Sequence, residues 1–170
     1  MNAPKQILVP ADFRNTSLPV TAADIDKTWR TLYGECSGQS FDCKIATCWT
    51  IRNRVTLDLW KDGKADWWGE GFVAICIKKW QFTCWMDHNA ERIAIATLGD
   101  AAAQECMLAT LAVMKGLFPD PTAGATHYFN PKIARTPDWA IGRTPVCAID
   151  GHSFYVGVEP GDPKYTKPKT

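Results

Sequence analysis

The segment "AAAQECMLATLAVMKGLF", from Ala101 to Phe118, constrains the fold more than any other stretch. It is apolar nearly all round, with Met107, Leu108, Leu111 and Met114 prominent, and a helix without a polar face has to be covered by its neighbours. Asp100 stands where an N-cap belongs. The rest of the chain must therefore supply elements that surround a central helix. Its 170 residues suit one domain, and a hydrophobic content of 46% supports a core without help from disulfides or metals.

Two further helices are legible upstream. In "TAADIDKTWRTLYGE", Ile25, Trp29, Leu32 and Tyr33 form one stripe at i, i+4, i+7 and i+8. Thr21 is its N-cap, and Asp24 three residues on makes a short-armed capping box. Gly34 ends that pattern and Gly38 interrupts it again, so the helix expected over about residues 40–55 is separate. Phe41, Ile45, Cys48, Trp49 and Val55 share a face of it, and Arg52 and Arg54 lie near its end, where cations suit the helix dipole.

The remaining segments are less regular. "DGKADWWGEG" is a turn-rich loop, "FVAICIKKW" a short helix or strand, and "QFTCWMDHN" a loop. "PDPTAGATHYFNPKIARTPDW" is a long ordered loop of the kind that often carries function. "AIDGHSFYVGV" alternates as a strand or hairpin arm does. The predicted architecture is α+β and mostly helical: an extended N-terminal arm over residues 1–20, one domain over 21–158, and a frayed tail over 159–170.

Charge and composition exclude several functions. Nineteen basic against eighteen acidic residues leave no dominant field for nucleic acid. No run approaches the roughly 18 apolar residues of a membrane span. The opening "MNAPKQILVPADFRNTS" has only "ILV" where a signal peptide has its apolar stretch, so synthesis in the cytoplasm is expected, with release or delivery by another agent. Seven cysteines include no C-x-x-C pair and read chiefly as small buried apolar residues. The three histidines, His88, His127 and His152, show no zinc-protease spacing, and no cysteine is singled out as the partner of a catalytic histidine.

Three constellations remain. In "YGECSG", Glu35 sits on the flank of the first apolar stripe. If ordinary solvent bathes it, it is a helix-end carboxylate. If it is sheltered, desolvation raises its pKa and suits it to general acid chemistry, with Gly34 and Gly38 leaving room for a bulky chain. "ATHYFNP" packs Thr126, His127, Tyr128, Phe129 and Asn130 between a glycine and a proline, and reads either as polar groups beside aromatic faces, which suit a sugar, or as an ordered loop with a capping Asn. "WQFTCW", with Trp67, Trp68 and Trp139, belongs to a set of eight tryptophans that divide between core and sugar-stacking platforms.

In this order these stretches resemble the SleB-type cell wall hydrolases, which include spore cortex-lytic enzymes and many phage endolysins. The resemblance runs from "LYGECSGQSFDCKIATCWTIRNRV" through "WQFTCW" and "GATHYFNP" to "GHSFY", and covers about residues 22–156. It implies a lysozyme-like domain that cleaves the MurNAc–GlcNAc glycan strand of peptidoglycan, with Glu35 as the catalytic acid/base and no cofactor or metal. Gln81, Phe82, Trp85, Thr126, Tyr128, Asn130 and Trp139 would line the substrate groove. The chain departs from the family pattern at Gln39, where a second glutamate is common; Asp42 and Asp87 are the other acids nearby. A single glutamate favours a lytic transglycosylase over a hydrolytic muramidase, since hydrolysis uses two carboxyls flanking the bond. An N-acetylmuramoyl-L-alanine amidase and a non-catalytic wall-binding virion module are the alternatives. The expected partner is peptidoglycan in the periplasm or wall, bound by a monomer with no nucleic acid and no membrane insertion.

Overall fold

A computed structural model describes residues 17–57, 68–86 and 88–158. Most of the expected arm, the tail, most of the "DGKADWWGEG" loop and Asp87 lie outside those residues. The elements in order are α1 (Ala22–Cys36), α2 (Phe41–Thr56), α3 (Gly71–Ile77), α4 (His88–Ala94) and α5 (Ala101–Met114), then strands β1 (His127–Phe129), β2 (Cys147–Ile149) and β3 (His152–Tyr155). A short 3-10 turn, Thr83–Trp85, precedes α4.

Local chemistry sets the helix starts. The Asp24 amide donates to Thr21 Oγ1 (3.2 Å) and the Thr21 amide to Asp24 Oδ2 (2.9 Å), so the short-armed capping box forms. Ser40 Oγ accepts from the Cys43 amide at the head of α2 (3.3 Å), and Asp100 Oδ1 from the Ala102 amide at the head of α5 (2.8 Å). Trp29 and Leu32 of the predicted stripe are buried. "FVAICI" resolves as helix α3. Two of the loop expectations are corrected. The "QFTCWMDHN" segment holds the 3-10 turn and the start of α4, and "PDPTAGATHYFNP" holds β1, whose three residues are too few to show a period.

The central helix is α2, not α5. Every residue of α2 from Cys43 to Arg54 is buried, whereas Leu108 of α5 is 59% exposed. The polarity of α2 hid this, because most of its polar side chains find partners inside the fold. Lys44 donates to the Gln39 carbonyl and pairs with Glu105 Oε2 (3.0 Å). Arg52 donates to the Val113 carbonyl and lies over the Trp49 ring, 4.6 Å from its centroid. Asn53 Nδ2 donates to the Ala125 carbonyl (2.9 Å) and Asp120 Oδ2 (3.0 Å), and Arg54 Nε to the Thr126 carbonyl (2.7 Å). Arg52 and Arg54 thus act on carbonyls of other segments, beyond the dipole role expected for them.

These contacts from α2 place the sheet. Asp120 also accepts from the Thr122 amide (2.7 Å) and the Gly124 amide (2.8 Å), so one carboxylate folds the turn that leads into β1. The strands are antiparallel in the order β1-β3-β2, with Tyr128 opposite Phe154. Ala46 of α2 packs with Ala125 and Phe154 beneath the sheet, while the larger core joins α1, α2, α3 and α5. All seven cysteines are free thiols, and six are buried. No helix among the described residues is long and apolar enough to cross a membrane.

Candidate active site

Glu35 occupies the last turn of α1, where the helix meets the 3-10 turn. Gly34 makes that meeting possible: a Cβ there would sit 2.5 Å from Cys84 Cβ and 2.6 Å from Ile93 Cδ1. At Gly38 a Cβ would meet nothing within 4 Å. The space at Gly34 is therefore filled by the protein's own wall, not left for a ligand. That close approach lets the Cys84 amide donate to Glu35 Oε1 (3.3 Å). From the sheet, the Tyr128 hydroxyl donates to Glu35 Oε2 (3.0 Å). Both carboxyl oxygens are held, one by each wall. Burial, and next the charge of Glu35, push the Tyr128 phenol well above its ordinary range, so it remains a donor at neutral pH.

Glu35 opens onto a cleft of about 430 Å³ between the 3-10 turn and the sheet. Of the residues expected to line a groove, Gln81, Tyr128, Asn130 and Trp139 do so together with Glu35. Phe82, Trp85 and Thr126 stand behind that wall. Phe82 is 2% exposed and Thr126 4%, and Thr126 Oγ1 bonds His127 Nδ1 (2.9 Å). Trp85 donates from Nε1 to Thr31 Oγ1 (2.9 Å) and carries the Lys27 ammonium over its ring. Asn130 Oδ1 accepts from the Lys132 amide (3.0 Å), so part of its polarity shapes its own turn. The half-buried Trp139 ring packs against His127, Phe129 and Tyr155.

The cleft also takes in Trp80 and His127, which belong to the "WQFTCW" and "ATHYFNP" constellations without being picked out individually, and Arg54, Arg92 and His152, which motif spacing did not single out as site residues. "NRV" and "GHSFY" were visible as stretches, but nothing in them told which side chain faces inward. His152 Nδ1 lies 3.4 Å from Cys43 Sγ, which is the cysteine–histidine contact that composition left unassigned. Cys43 is 0% exposed, and burial pushes its thiol up to about 11, so it holds the imidazole rather than attacking substrate. Burial holds His152 below its ordinary value against the opposing Asp150 backbone hydrogen bond and the Glu35 charge. Burial, then Arg54 and Arg143, hold His127 well below its own. Both rings are neutral at neutral pH.

Glu35 is the one carboxylate lining the cleft among the described residues. Asp42 is exposed in the first turn of α2. Gln39 turns to the β2–β3 hairpin: with its amide nitrogen assigned to the side that faces acceptors, it donates to Asp150 Oδ2 (3.0 Å) and to the Asp150 carbonyl (3.2 Å). The Ser40 amide donates to the same carboxylate (2.6 Å) and is the chief cause of its lowered pKa. Among the described residues, no three His, Cys, Asp or Glu side chains gather as metal ligands would. The arrangement offers a single acid/base group, held on both oxygens, in an aromatic-walled cleft beside two guanidinium groups.

Known proteins share this architecture. The chain is 26% identical over 153 residues to the spore cortex-lytic enzyme of Halalkalibacterium halodurans; the match takes in 90% of this chain and spans 38% of the length of that relative. The crystal structure of the catalytic domain of the Bacillus cereus SleB protein superposes with a TM-score of 0.61 at 25% identity, covering 82% of this chain and 94% of that one. The catalytic domain of the germination-specific lytic transglycosylase SleB from Bacillus anthracis gives the same TM-score and identity over 81% of this chain and 98% of that one. The family profile described as Cell Wall Hydrolase matches residues 38–155, from just beyond Glu35 to the end of β3. With that match over most of its length, this chain belongs to the cell wall hydrolase family.

Proposed function

We propose that this protein degrades peptidoglycan by cleaving its glycan strand at Glu35, acting as a lytic transglycosylase. The observation that carries the reading is the lone carboxylate of the described cleft, held by Tyr128 and by the Cys84 amide. The names of the similar proteins agree with it. Glu35 would protonate the glycosidic oxygen as the C1–O bond breaks. The resulting carboxylate would then take the proton of the muramyl 6-hydroxyl as O6 bonds to C1, closing a 1,6-anhydro ring and regenerating the acid. No second carboxylate and no water enter the balance, which separates this route from two-carboxylate hydrolysis. Gln81, Tyr128, Asn130 and Trp139 are the proposed substrate-lining residues. Phe82, Trp85 and Thr126 would act through the wall they support.

Two measurements test this. Glu35→Gln keeps the size and removes the proton, so cleavage of purified sacculi should fall by about 100-fold or more. Wild-type turnover by that variant would sink the assignment. Mass spectrometry of the released muropeptides reads the mechanism: anhydro ends are expected, and reducing ends would establish hydrolysis instead.

A further inference from the structure

Trp80 is placed as no folding requirement explains. It occupies the third position of a turn closed by the Gln81 amide on the Lys78 carbonyl (3.0 Å), with φ at 72°. Glycine or asparagine suits that position, and a bulky side chain there is an outlier that stores strain. Burial does not offset it: Trp80 is 46% exposed and stands outside the hydrophobic clusters of the described residues. Trp80 lines the same cleft as Glu35. Of the other two tryptophans, Trp85 is fastened to Thr31 and Lys27, and Trp139 lines the cleft with its ring packed against His127, Phe129 and Tyr155.

We propose that Trp80 is the stacking platform for a pyranose ring of the glycan strand, a role that rests on the glycan-cleaving reading above. A pyranose offers an apolar C–H face and a hydroxylated edge. An exposed indole fits the face. Gln81, next in the chain and bonded through Oε1 to Arg54 (3.2 Å), brings an amide to the edge. The Lys79 ammonium lies over the indole, 5.2 Å from its centroid, so it takes one face of the ring and the sugar has to stack on the other. The ligand class is an N-acetylated aminosugar residue, held by ring contact and not by charge.

The test measures co-sedimentation with purified sacculi in a Glu35→Gln background, so that binding is read without turnover. Trp80→Ala should bind about tenfold more weakly, the loss of an aromatic contact of ~1.4 kcal/mol. Trp80→Tyr should bind within about threefold of its parent, because the platform is kept. Trp80→Gly should bind as weakly as Trp80→Ala and unfold at a higher temperature, because the left-handed strain is gone. Undiminished binding by Trp80→Ala overturns the proposal. So does a Trp80→Gly protein less stable than its parent, which would make the indole a fold support, and so does a parent that binds no sacculi. Full turnover by Glu35→Gln alone would instead remove the catalytic assignment and leave the binding comparison intact.

Discussion

Gly34→Ala is the sharpest test of how the site is built. The new Cβ would lie 2.5 Å from Cys84 Cβ and 3.0 Å from Cys84 Sγ, where carbon atoms in contact prefer about 3.5–4.0 Å. Ile93 Cδ1, at 2.6 Å, can rotate away. Cys84 Cβ is fixed to its backbone, so the whole 3-10 turn has to retreat by roughly an ångström. The Cys84 amide already stands 3.3 Å from Glu35 Oε1, and that retreat breaks the bond. Two energies compete. Alanine in a helix gains up to about 1 kcal/mol over glycine, and overpacking loses about 1–3 kcal/mol. With the full helix gain, the expected net is a destabilisation of up to about 2 kcal/mol by urea unfolding. Sacculus cleavage should fall further than the loss of folded protein explains. Gly38→Ala is the control, since nothing lies within 4 Å of its Cβ, and it should be neutral or slightly stabilising. A Gly34→Ala protein more stable than wild type, with full activity, would refute the close approach of wall and helix.

Further expectations follow from the same contacts. Tyr128→Phe removes a hydrogen bond to a carboxylate, worth about 1.5–3 kcal/mol, and should slow cleavage by roughly 10- to 100-fold; an unchanged rate would show that the hydroxyl only fills space. Because His127 and His152 are neutral when folded, the unfolded chain binds more protons below the ordinary histidine value of about 6.5. Stability should be full above that pH and fall as pH drops towards the folded values, by up to about 1.4 kcal/mol per pH unit for each ring. Urea midpoints measured between about pH 7.5 and 5 check this, and His127→Gln should flatten the decline. Gln39→Glu sets a second carboxylate against Asp150 and should lower the unfolding midpoint, which Asp150→Asn should restore.

Much of α1 was legible because its determinants are local: a capping box and an apolar stripe need no knowledge of the rest of the chain. The central position of α2 was not. Lys44, Thr47, Thr50, Arg52, Asn53 and Arg54 make it look amphipathic, yet they are buried, and several spend their polarity on carbonyls and acids far away in sequence. The opposite error arose at α5, where Leu108 suggested a covered face that the fold leaves open. At the site, Glu35 and Tyr128 stood out as motif residues, but their contact spans 93 positions and no spacing reports it. Likewise "WQFTCW" presents Trp80 and Trp85 as equivalent. The backbone separates them, turning one ring towards the cleft and fastening the other to Thr31.

The clasp between Gln39 and Asp150 has a consequence for how such chains can diverge. The elbow between α1 and α2 grips the β2–β3 hairpin through an amide that meets a carboxylate, with the Ser40 amide on the same oxygen. A glutamate at position 39 is compatible with this grip only if position 150 stops being an acid. The two positions should therefore change together among relatives, a Glu at the first excluding an Asp at the second. In this chain Gln39 and Asp150 are the two halves of one amide–carboxylate contact.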